Sequence, residues 1–176
     1  MHEFTRDIPT GRKPLGIVNA VIEVIGWSRD KYEYYLDWEA FVSDRVLHSS
    51  VVFPVEYGFI PKTWFHDNDP LDIMVKSYEP LEVGCIVEVK PIGILVMEVE
   101  EGGNPKILSV PTRDPRFKGY NDTSDFHPHI LKEIQEFFEV YKRLEPRKWV
   151  KFKEWKNREE AKKLIEYAME LYRKRK

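Results

Sequence analysis

With 176 residues, 42% of them apolar and 14% aromatic, the chain is long enough to bury one hydrophobic core and short for two ordinary domains, so a single domain over residues 1–176 is expected. Charged residues make up 33% with both signs interspersed, and the net charge of −2 excludes a global basic field for gripping nucleic acid. No run approaches the roughly 18 apolar residues that span a bilayer, Met1 to Arg12 has no apolar stretch like a signal peptide, and the lone cysteine, Cys85, excludes an intrachain disulfide. These points predict a cytoplasmic protein with neither nucleic acid nor membrane as partner.

In chain order, Ile17 to Ile25 is β-branched and half alternating, with Glu23 inside it and Gly26 ending it. Ala40 to Leu47, Val51 to Phe53, Leu71 to Val75, Cys85 to Lys90 and Ile92 to Val99 read as further strands. Gly and Pro punctuate them, Gly102-Gly103 reads as a turn tip, and Lys106 to Val110 as the return strand. Then the period changes. Ile130, Ile134, Phe137, Tyr141 and Leu144 mark one face of a helix, with Ser124 or Asp125 as cap and Pro146 as stop. Lys148 to Phe152 fits one more strand. A second helix is expected after Asn157, with Glu160 as its box-like partner and Ala161, Leu164, Ile165, Ala168, Leu171 and Tyr172 on its apolar face. Several short strands followed by two helices predict an α+β fold: a small closed barrel hides the strand edges and the helices pack outside.

The most informative segment is His66-Asp67-Asn68-Asp69-Pro70-Leu71-Asp72, with three carboxylates in six residues. Unpaired, such charges repel in a compact turn, and Asp72 opens an apolar strand where a charge needs a reason. A hard divalent ion supplies one, because Mg²⁺ takes one or two carboxylates and completes its shell with water and phosphate. The competing interpretation is a solvated acidic loop. An EF-hand is excluded, since counting from Asp67 puts Asp72 and Tyr78 where that loop needs Gly and Glu. His66, His127 and His129 match no zinc spacing.

Asp67-Asn68-Asp69-Pro70-Leu71-Asp72 resembles the Asp-x-Asp-Pro-x-Asp signature of the family I soluble inorganic pyrophosphatases. Glu23, Lys31-Tyr32-Glu33, Asp44-Arg45, Phe53-Pro54, Tyr57-Gly58-Phe59-Ile60, Val110-Pro111, Phe137-Phe138-x-x-Tyr141-Lys142 and Trp149-Val150 are similar to further family segments, so the likeness runs from about Ile17 to Tyr172. The resemblance implies a five-stranded OB-like barrel with two helices, hydrolysis of inorganic diphosphate to two phosphates, Mg²⁺ as cofactor with Mn²⁺ or Co²⁺ as alternatives, and a homo-oligomer, usually a hexamer. It also implies roles for individual residues. Asp67 and Asp72 bind metal. Asp69 takes the proton of the attacking water. Lys31, Arg45, Tyr57, Lys106, Tyr141 and Lys142 hold the phosphates, and Glu23 and Glu33 line the site. Taken alone, Lys31 and Arg45 read as ordinary surface charges.

The pattern breaks after Met97. Val99 and Asn104 stand where the family has aspartates that complete its metal sites, and Phe53 stands where it has Tyr. Asn104 retains only a carbonyl donor for a metal. Glu98 and Glu100 point opposite to Val99 in a regular strand, and a bulge near Gly102-Gly103 is the route by which Glu100 or Glu101 would turn inward. The alternative is a catalytically impaired paralogue that binds phosphate ligands or partners an active enzyme. An OB-type nucleic-acid module is disfavoured by the negative charge and the acidic turn.

Overall fold

The computed structural model describes residues 7–12 and 16–175. Residues 1–6, part of the segment read above for a leader, lie outside the described residues. In chain order the strands are β1 (Val18–Val24), β2 (Asp30–Tyr35), β3 (Ala40–Val46), β4 (Glu56–Phe59), β5 (Asp72–Val75), β6 (Ile86–Val99), β7 (Gly102–Gly103) and β8 (Lys106–Pro111). Two 3₁₀ turns, Pro115–Phe117 and Thr123–Asp125, lead to helix α1 (Pro128–Val140), strand β9 (Val150–Lys156) and helix α2 (Arg158–Lys174).

Strands β1, β4, β5, β8 and β6 form a ring. Each pairs with the next, and β6 returns to β1 through Val18↔Val89 to Val21↔Ile86. The β5–β8 pairing is parallel and the others are antiparallel. This is the expected five-stranded barrel, with α+β content. Beyond the ring, β9 and β7 extend β6, and β2–β3 form a separate hairpin. The long β6 serves four partners, β1, β7, β8 and β9, and its register with β8 shifts between Pro91 and Gly93, where a proline without an N–H is tolerated.

Strand alternation sorts the apolar side chains into two cores. Met74, Leu95 and Leu108 join Phe53, Phe137 and Phe138 around α1. Ile73, Val75 and Ile107, their neighbours along the strands, join Ala161, Ile165 and Ala168 of α2. Each fully buried large side chain contributes about 1.5–3 kcal/mol of transfer free energy, so these two faces hold the helices down.

Several local expectations differ from the structure. Val51 to Phe53 is not a strand: its backbone joins a neighbouring loop, Trp27 donating to the Phe53 carbonyl at 2.7 Å and the Phe53 N–H to Ser28 at 3.0 Å. Gly102-Gly103 pairs with Val99 and Glu98, so the turn tip is Glu100-Glu101 instead. The Asp125 carboxylate caps the turn before it, accepting from the Asn121 and Asp122 N–H groups, and His127 precedes Pro128 as the α1 cap. After Val140 the chain goes over to tighter i to i+3 turns, Arg143 to Val140 and Glu145 to Lys142. That rotation leaves Leu144 65% exposed rather than on the buried face.

Candidate active site

The acidic turn joins β4 to β5. Its shape comes from local backbone chemistry: Asn68 adopts a left-handed φ of 64°, Asn68 N–H donates to Phe65 at 3.1 Å and Phe65 N–H to Asp69 at 2.8 Å. Thr63 ties it to the barrel by accepting from Leu71 N–H at 2.9 Å. Asp67, Asp69 and Asp72 thereby line one cavity with Glu23 from β1, Lys31 and Glu33 from β2, and Arg45 from β3. Tyr57 of β4, Asn104 and Lys106 at the start of β8, and Tyr141 and Lys142 just past α1 line the same cavity. All twelve residues singled out from the sequence are therefore brought together, from segments more than a hundred residues apart.

Lys106 is only 2% exposed, and a buried ammonium requires partners. It forms an ion pair with Asp72, donates to the Tyr57 hydroxyl at 2.7 Å, and lies 4.9 Å from the Tyr57 ring centroid. On the hairpin, Lys31 lies opposite Arg45, and the two cations share the Asp44 carboxylate. Lys31 also pairs with Glu33, and Arg45 Nε donates to Glu145 Oε1 at 3.0 Å. Burial opposes the Lys31 charge, but Glu33 and Asp44 outweigh it and raise its pKa. Lys142 goes the other way: burial, then repulsion from Lys106, lowers its ammonium pKa.

Burial, then the charges of Asp67 and Asp72, push the Asp69 carboxyl up to about 6. Asp67 is raised for the same reasons, burial first and Asp72 second. Both still meet solvent at the cavity mouth. Glu23 is pushed up to about 8, chiefly by burial, although the Tyr34 N–H at 2.9 Å favours its charged form. The cavity reaches the Glu23 side chain, which is half-buried although protein surrounds it on nearly every side. Burial and then Asp72 raise the Tyr57 and Tyr141 hydroxyls, so both are neutral hydrogen-bond donors.

The donor set is suited to a hard cation. Asp67, Asp69 and Asp72 present carboxylate oxygens whose mutual repulsion a divalent ion relieves. Among the described residues, no three acidic, histidine or thiol side chains close into a metal cage. Asn104 turns its amide to Asp67, Nδ2 to Oδ2 at 3.3 Å, so its side-chain donor is directed to that carboxylate. Val99 is buried beside Asp67. Glu101 lines the cavity, whereas Glu100 turns to Lys148 and the Trp149 N–H. His66 is engaged elsewhere, 3.0 Å from the Tyr167 hydroxyl.

A sequence profile described as "Inorganic pyrophosphatase" matches residues 20–173. The inorganic pyrophosphatase of Nostoc sp. is 44% identical over 168 residues, covering 94% of this chain and 97% of that protein. The chain belongs to the inorganic pyrophosphatase family. A second pyrophosphatase, from Nanoarchaeum equitans, is 46% identical over 159 residues, 89% of this chain and 98% of the relative. The crystal structure of inorganic pyrophosphatase from Thermus thermophilus superposes with a TM-score of 0.92 at 42% identity, covering 94% of this chain and 97% of that one.

In and around this pyrophosphatase cavity, sequence reasoning missed several groups. Glu145, which holds Arg45, carries no local signature. Lys62 and Arg175 add cations to the lining from outside any motif, and Arg175 stacks 3.5 Å from the Trp64 ring centroid. Arg175 is revealed only by the three-dimensional approach of α2's end to the turn after β4.

Proposed function

We propose that the chain hydrolyses inorganic diphosphate to two orthophosphates with Mg²⁺ as activating cation. The observation that carries this reading is the lining of one cavity by three neighbouring carboxylates and the cations Lys31, Arg45, Lys106 and Lys142. Diphosphate is a dense polyanion, and its cleavage requires charge neutralisation on both the transferred and the leaving phosphoryl groups. Asp67 and Asp72 are the residues that would hold the metal, with Asn104 contributing at most an amide oxygen. A divalent ion held there would supply a lowered pKa for a water and neutralisation of phosphate charge.

The chain's own groups do the rest. Asp69 takes the proton as the water oxygen bonds to phosphorus. Lys31, Arg45, Lys106, Tyr141 and Lys142 neutralise the phosphate oxygens between them, so the breaking P–O bond leaves its electron pair on a neutralised oxygen. Tyr57 fixes Lys106, while Glu23 and Glu33 set the local field. A cytoplasmic homo-oligomer, a hexamer by resemblance, belongs to the same proposal.

Phosphate release from diphosphate with Mg²⁺, Mn²⁺ and Co²⁺ tests it, beside an Asp69→Asn variant. Metal-dependent release in the wild type, reduced about a hundredfold or more by the substitution, is expected. No release with any of the three metals would establish the impaired paralogue instead.

A further inference from the structure

The acidic turn is held unevenly. Asp72 opens β5 and is fixed by its pairing with Phe59 of β4. Asp67 lies on no strand or helix, and its carboxylate accepts two long bonds. Oδ1 accepts from the Asp69 N–H and Oδ2 from Asn104 Nδ2, both at 3.3 Å. Like charge on Asp69 and Asp72 also pushes against Asp67 until a cation arrives. The backbone leading into Asp67 therefore decides where that carboxylate sits. The turn's own bonds close on this segment, Asn68 N–H to the Phe65 carbonyl at 3.1 Å and Phe65 N–H to Asp69 at 2.8 Å, so a shift at His66 is carried into the whole turn.

Helix α2 grips that segment at three consecutive residues. The Trp64 N–H donates to the Ala168 carbonyl at 2.9 Å, and the Arg175 guanidinium stacks on the Trp64 ring. Phe65 packs edge-on against the Tyr167 ring, with centroids 6.5 Å apart. The Tyr167 hydroxyl lies 3.0 Å from Nε2 of His66, the residue directly before Asp67. The first contacts seat the segment on the helix. The last is different in kind: Tyr167 is 41% exposed, so water would satisfy its hydroxyl, and the bond adds direction rather than bulk stability.

We infer that Tyr167 is a positioning residue for the metal site, acting through His66 to hold the turn that carries the Asp67 carboxylate into the cavity it shares with Asp72. Tyr167 itself does not line that cavity. Tethering the turn lowers the cost of ordering Asp67 when an ion binds, so the apparent affinity for a divalent cation rises with the competent population. The inference rests on the metal role proposed above for Asp67. It adds to that role a side chain 101 positions from the histidine it holds.

Tyr167→Phe in the full-length protein keeps the ring against Phe65 and removes only the hydroxyl. In EDTA, amide hydrogen exchange at Phe65 and Asn68 should quicken about three- to tenfold, while the buried Met74 of β5 and Ile165 of α2 keep their rates. By titration calorimetry, Mg²⁺ affinity should fall by a similar factor. On a His66→Ala background, Tyr167→Phe should change neither readout further, because the hydroxyl acts through the imidazole. Exchange that quickens throughout the chain marks a general loss of stability and overturns the inference, as do additive losses in the double variant. A wild type and a Tyr167→Phe variant that bind Mg²⁺ equally overturn the inference alone. A wild type that binds no Mg²⁺ overturns the proposed function and this inference together.

Discussion

Glu23 shows how a single side chain couples the cavity to stability. Its carboxyl is raised from 4.5 to about 8, mainly by burial, so the metal-free folded state keeps a proton that the unfolded chain releases. Between those pH values the native state therefore binds more protons than the unfolded one, and stability falls as pH rises. Asp69, raised to about 6, acts in the same direction over the lower part of the window. In EDTA, urea unfolding should lose a few kcal/mol between about pH 4.5 and 8, with the magnitude held down by cavity water at Glu23. Glu23→Gln should flatten most of that slope; an unchanged slope would remove Glu23 as its cause. The residue scale also explains why charge alone was a poor guide. Lys31 and Arg45 look like surface cations in the sequence, yet each is fixed by carboxylates, Glu33, Asp44 and Glu145, of which the last is a hundred positions away.

At the scale of elements, β1 and β4 approach so closely that Gly58 has no room for a side chain. A Cβ there would meet the Val21 carbonyl oxygen at 1.8 Å, a backbone atom that cannot rotate away. Gly58→Ala is expected to cost about 3 kcal/mol or more, read from the denaturation midpoint. Because β4 carries Tyr57 and leads into the acidic turn, the same change should weaken metal and phosphate binding. Unchanged stability would mean that the strands part easily at this point. Legibility in the sequence followed locality. Helix α2 begins after Asn157 as expected, with Asn157 accepting from Glu160 N–H at 3.1 Å, and its Ala161, Ile165 and Ala168 are buried. Strand β2, by contrast, is polar and half-exposed, Asp-Lys-Tyr-Glu-Tyr-Tyr, and only its pairing with β3 makes it a strand.

For the molecule as a whole, the departures at Val99 and Asn104 sit where the turn after β6 meets the acidic turn. Val99 is 6% exposed and shares a small cavity with Asp67, Glu101 and Asn104. Introducing Val99→Asp with Asn104→Asp should lower stability in EDTA, because a carboxylate enters an apolar position. It should also raise Mg²⁺ affinity by titration calorimetry and enlarge the thermal shift that Mg²⁺ produces, through linkage of binding to folding. If the double variant binds Mg²⁺ no better than wild type, these two positions do not face the metal. The sequence by itself determined the acidic turn, the chemistry of its donors and, Leu144 apart, the apolar faces of both helices, since each depends on residues within a few positions of one another. Ring closure through β6 and β1, the hairpin that delivers Lys31 and Arg45, and the choice of Glu101 over Glu100 for the cavity were decided only in the tertiary structure. Strand register and turn direction are set by contacts between distant segments, and no local pattern encodes them.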